Sequence, residues 1–124
     1  MNSKTQIEAL IAPWIQACLD RDWDALLSLC TDDVVFDPPG EQQVKGAVNV
    51  KEWLDTFPVI KEFEFGFDQI DESGELAIGF GKGSMTVEVG GEEASMTIKF
   101  ADVFQQQPEG HWLYSHVIWN ANES

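Results

Sequence analysis

Asp37 and Asp102 are the residues of this 124-residue sequence whose type and setting suit proton chemistry. Asp37 ends the run Val34-Val35-Phe36-Asp37-Pro38-Pro39-Gly40. Valine and phenylalanine favour strands, and a proline holds the residue before it extended, so this carboxylate is expected at the rim of a packed scaffold. There it suits a general base, or a turn residue accepting backbone N–H groups. Asp102 lies in the stretch Ile98 to Phe104. A period of two puts Ile98, Phe100, Asp102 and Phe104 on one face and Lys99, Ala101 and Val103 on the other. Among aromatic neighbours a carboxyl is desolvated, which favours its protonated form and lets it donate a hydrogen bond near neutral pH. The alternative is a buried acid bonded to Trp14 or a helix end, serving the fold and no chemistry.

Other chemistries find less support. His111 and His116 are five residues apart on one expected strand and point to opposite faces, so no metal site is expected. Cys18 and Cys30 fall on helix-patterned segments without a CxxC spacing and read as reduced core thiols. Gly79, Gly81 and Gly83 spell GxGxG, but inside a strand pattern with no helix after it; this marks a bend and not a dinucleotide site, and no cofactor is expected.

A net charge of −15 with seven scattered basic residues argues against nucleic acid and anionic membranes, and favours neutral or cationic ligands over anionic ones. The acidic, proline-broken start does not read as a signal peptide, and no apolar run reaches the length of a membrane span. With two thiols read as reduced, a cytoplasmic location is expected. The triplet Asn122-Glu123-Ser124 matches a glycosylation acceptor but has no secretory context.

The elements that must position these groups follow from periodicity. Ile7, Leu10, Ile11, Trp14, Ile15, Cys18 and Leu19 recur at helical spacing, which predicts a helix over 4–20 with a kink or break at Pro13. Asp22 caps a second helix over 23–30, which Thr31 to Asp33 end. Gly46 precedes a third, about 47–57, stopped by Pro58. From Pro58 onward the period is two, with Phe63, Phe65 and Phe67 alternating with Glu62, Glu64 and Gly66, and turn signals at Glu72-Ser73-Gly74, Gly90-Gly91 and Pro108-Glu109-Gly110 divide the rest into four long strands joined as hairpins. Strands that long twist and curl. The expected architecture is one α+β domain over 1–124, a cone-shaped, strongly curved antiparallel sheet wrapped around three N-terminal helices, enclosing an apolar pocket.

The helix-helix-strand opening, the Asp32 to Gly40 run, Val44-Lys45-Gly46 leading into a helix, and the closing Asp102-Val103-Phe104…Gly110 hairpin resemble the nuclear transport factor two-like superfamily. Within it the chain is similar to the SnoaL-like and ketosteroid-isomerase-like branches, whose fold is a cystatin-like α+β barrel. The resemblance implies that Asp37 stands at the isomerase's proton-shuttling aspartate and Asp102 at its oxyanion-hole acid, a pairing of base and neutral donor for which ketosteroid isomerase is a known example. It places Trp53, Phe104, Ser115, Val117 and Trp119 at pocket-lining positions. Trp14 takes the place of a tyrosine, and the segment before Asp37 is one residue shorter. Trp14, Cys18, Phe57 and Phe100 complete the candidate pocket, though aromatic stripes on helices also simply pack.

Two functions are therefore expected. One is a cofactor-independent isomerase, cyclase or dehydratase acting on a neutral, hydrophobic carbonyl compound, with Asp37 as base and Asp102 as donor. The other is a non-catalytic ligand-binding or dimerisation domain; Asp37 aimed into the cavity favours the first, and Asp37 turned outward the second. On the last strand Leu113, Ser115, Val117 and Trp119 are assigned to one face, and Trp112, Tyr114, His116 and Ile118 to the other. With Val103 the latter forms an apolar outer patch that predicts a homodimer.

Overall fold

The computed structural model describes residues 2–123. Ser124, which completes the Asn122-Glu123-Ser124 triplet, lies outside the described residues. Helix α1 (Ser3–Glu8) is capped by Asn2, whose Oδ1 accepts the Thr5 N–H at 2.8 Å. Helix α2 (Ile11–Asp20) follows after a break at Ala9 and Leu10, four residues before Pro13 and not at it. Pro13 occupies the first turn of α2, where a backbone N–H has no partner within the helix. What it forbids is a bond back to the carbonyl of Ala9, and the helix parts there.

Helix α2 ends at Arg21, which takes a left-handed φ of 53°. Its guanidinium donates to the carbonyls of Pro58 at 3.2 Å and of Leu54 and Asp55 at 3.4 Å each, and lies 5.3 Å from the Trp23 ring. Those carbonyls close helix α4 (Ala47–Asp55) and its exit, so one cation satisfies orphaned acceptors at a helix C-terminus and ties three helices together.

Helix α3 (Trp23–Leu27) is shorter than its pattern predicts. The Leu29 carbonyl accepts the Tyr114 N–H at 2.9 Å, drawing the chain into the sheet. Strand β1 (Cys30–Asp37) therefore begins early, and Thr31 to Asp33 lie inside it instead of ending a helix. The short β2 (Val44–Lys45) and the long β3 (Val59–Ser73), β4 (Leu76–Val89), β5 (Glu92–Gln106) and β6 (Trp112–Glu123) complete one sheet of order β2-β1-β6-β5-β4-β3. The four long strands are the expected hairpins. The sheet is mixed, however, because β1 pairs with β6 in parallel. Strand β1 arrives from the helices and returns to the sheet by a crossover, whereas only hairpin neighbours are antiparallel by construction.

The fold is α+β, a strongly curved sheet around N-terminal helices, with Ile7, Leu26, Val34, Val50, Phe104 and Tyr114 fully buried between the layers. A bulge in β6 decides which residues reach that interior. Val103 pairs with His116 but Phe104 with Tyr114, so Ser115 is the extra residue. Before it Trp112 and Tyr114 face the helices, 3% and 1% exposed; after it Val117 and Trp119 do. Trp112 and Tyr114 are thus core residues and not part of an outer patch, because an extra residue exchanges the two faces of a strand.

Candidate functional site

Between the helices and the concave sheet face lies a pocket of about 80 Å³, partly open to solvent. Its wall is aromatic: α2 contributes Trp14 and Cys18, α4 Trp53, β1 Phe36, and β6 Val117 and Trp119. The rings brace one another. Phe36 meets Trp119 edge-on with centroids 6.0 Å apart, Trp53 lies 5.9 Å from Trp119 and 5.3 Å from Phe57, and Trp14 packs on Tyr114 at 4.2 Å. The Trp53 Nε1–H donates to Glu41 Oε1 at 3.1 Å, linking this wall to the loop after β1.

Asp102 is the carboxyl in the wall. It is 5% exposed, and its Oδ1 has no hydrogen-bond partner among the described residues. Burial holds its pKa well above the ordinary carboxyl value; the backbone N–H of Ile118 pulls the other way and does not offset it. Burial thus favours the protonated form, which can offer an O–H to an acceptor in an apolar space. The Tyr114 hydroxyl, nearby and equally enclosed, also lacks a partner. Its pKa is raised by burial first and then by the charge that Asp102 would carry. Cys18 and Cys30 are pushed up to about 12 by burial, so both thiols stay protonated and are poor nucleophiles.

Asp37 does not join this group. Phe36 lines the cavity, and the next residue on a strand points to the opposite face. Asp37 pairs with Ile118, whose neighbours Val117 and Trp119 face inward. Its Oδ1 accepts the Gln43 Nε2–H at 2.8 Å, within the turn that follows β1. The expectation of a base aimed at the ligand is therefore corrected: strand parity, set by Phe36 going inward, turns Asp37 out.

The other candidates divide. Trp14, Cys18, Trp53, Phe57, Phe100, Val117 and Trp119 line the cavity. Phe104 and Ser115 do not. Phe104 is completely buried against Tyr114 at 4.5 Å, and Ser115 is the bulge residue, its Oγ donating to the Val103 carbonyl at 3.2 Å. Sequence reasoning left out Trp23, Phe36, Phe63, Phe65 and Met85, which also line the space. The alternation of Phe63, Phe65 and Phe67 was the available signal, since it declared one apolar face of β3 without saying what that face met. His111 precedes β6 in the exposed loop, and His116 faces away from the cavity with Nδ1 3.4 Å from Ser115 Oγ.

Fold and site together define a curved-sheet cone with a small apolar pocket and one buried acid. The chain belongs to the SnoaL-like domain family, whose model matches residues 11–114. Solved structures share the fold. A ketosteroid isomerase-like protein from Erwinia carotovora atroseptica superposes with a TM-score of 0.82 at 13% identity, covering 98% of this chain and 95% of that one. An NTF2-like protein from Cytophaga hutchinsonii gives 0.83 at 15% identity, with 98% and 100% covered. A proposed dehydratase of the NTF2-like family from Streptomyces avermitilis gives 0.80 at 14% identity, with 98% of each chain covered. No curated protein matches the sequence. Among the described residues no helix is long and apolar enough to cross a membrane.

Proposed function

We propose that this protein binds a small, neutral, hydrophobic molecule in the cavity, with protonated Asp102 donating a hydrogen bond to a ligand oxygen, and that it does so without proton transfer by Asp37. The observation that carries this reading is a buried carboxyl with one oxygen, Oδ1, unpartnered among the described residues, in an aromatic wall whose other titratable group is the protonated thiol of Cys18. Carboxyl-carbon NMR titration of Asp37 and Asp102, with and without a phenol as enolate mimic, tests it. Asp102 should titrate well above an ordinary aspartate and respond to the phenol, while Asp37 ignores it. An Asp102 that titrates as a surface acid and is indifferent to the phenol removes the reading.

A catalytic version of the same pocket would isomerise, cyclise or dehydrate a neutral carbonyl compound with Asp102 as acid. What favours it is the proton that Asp102 retains, and turnover that disappears in Asp102→Asn is its test. The convex sheet face is proposed to be covered by a second copy of the chain. Ile78 and Phe80 stand 39% and 40% exposed there beside Val103 and Ile118, and a two-fold pairing joins these apolar residues. Two buried, unpaired thiols suit a reducing compartment such as the cytoplasm.

A further inference from the structure

The glycines of β4 explain how large the ligand can be. Gly79 and Gly81 lie in the concave floor of the sheet; a Cβ at Gly79 would lie 2.7 Å from Phe67 Cε1, and one at Gly81 would strike first the backbone carbonyl oxygen of Gly66 on β3 and then Phe100 Cζ at 2.6 Å. The glycine stripe therefore admits two things, the close approach of the β3 backbone at Gly66 and rings that lean in from the strands on both sides, Phe65 and Phe67 from β3 and Phe100 from β5. The three pack edge to face with centroids 5.4 to 6.1 Å apart, and Phe67 meets Phe104 at 5.8 Å. A cone whose floor could have been open space is filled from within.

What remains is the cavity of about 80 Å³, with Phe65 and Phe100 forming part of its wall. At roughly 10–15 Å³ per water position, that is space for about six waters. Pockets that enclose drug-sized ligands run to about 300–1,000 Å³. The wall contains no lysine, arginine or histidine to hold an anion, and its polar anchor is a single acid.

Resting on the reading that Asp102 holds a ligand oxygen, we infer that the ligand is a compact, uncharged molecule of one or two rings with a single phenol- or ketone-type acceptor, and that Phe65 and Phe100, seated over the glycine stripe, exclude larger polycyclic ones. Dispersion supports the same choice, since flat apolar rings find edges and faces on several sides of the space.

Titration of the full chain with phenol, 2-naphthol and the four-ring phenol estradiol tests this, read by tryptophan fluorescence and by the Asp102 carboxyl-carbon signal. Phenol and 2-naphthol should move both signals, and estradiol should bind about tenfold more weakly than 2-naphthol, or worse. Phe100→Leu and Phe65→Leu, each checked for folding by circular dichroism, should close that gap. Estradiol binding as tightly as 2-naphthol overturns the size limit. An unchanged preference in both folded variants overturns the role given to the two rings. Failure of all three phenols to bind removes the Asp102 reading, and the size inference with it.

Discussion

Asp102→Asn should change how the stability of this protein depends on pH. The carboxyl is buried with one oxygen unpartnered, and its pKa in the folded chain is raised by desolvation. In the unfolded chain it titrates as an ordinary aspartate, near pH 4. Between those two values the folded state binds the extra proton. Stability from this group is therefore complete below about pH 4 and is lost as pH rises towards the folded pKa, at about 1.4 kcal/mol per pH unit. The other acids contribute slopes of their own, so the informative quantity is the difference between the parent and Asp102→Asn, in which that slope is absent. Urea unfolding of both proteins at several pH values from 5 upward measures it. With a urea m-value of about 1.5 kcal/mol per molar, the parent midpoint should fall relative to the variant by about 1 M per pH unit. A midpoint difference independent of pH over that range would refute the argument, because it would mean that Asp102 is ionised in the folded chain at no cost.

The remaining predictions concern the helices, the rim and the outer face. Arg21→Ala removes three carbonyl contacts and the approach to Trp23, and should cost about 1–2 kcal/mol, read as a lower urea midpoint. Asp37→Ala loses one hydrogen bond at the strand end and should leave phenol affinity within about twofold of the parent, measured by fluorescence titration; a tenfold loss would restore Asp37 to the site. In sedimentation velocity the parent should run as a dimer that salt strengthens, since each copy carries a net charge of −15 and screening at 1 M shortens the Debye length to about 3 Å. Phe80→Glu should yield monomer, and a parent that is monomeric at both low and high salt would rule the dimer out.

Local chemistry was enough to determine much of this protein. Asp22 as a cap, Gly46 before a helix, Pro58 after one, and the change from helical period to alternation after Pro58 each act over a few residues, and each is where the chain predicts. The same alternation put Asp102 with Ile98 and Phe100, and all three line the cavity. Where the sequence misled, a distant part of the chain had decided the outcome. The Tyr114 N–H pulled Leu29 into the sheet and made strand of residues assigned to a helix end. The extra residue at Ser115 exchanged the faces of β6, so Trp112 and Tyr114 went inward, and no pattern within β6 announces it. Asp37 is the sharpest case: its strand and its turn were legible, but its direction depended on Phe36 being the residue that the cavity took. Period two makes strand residues face alternately without saying which parity faces in, and only packing against the helices settles that.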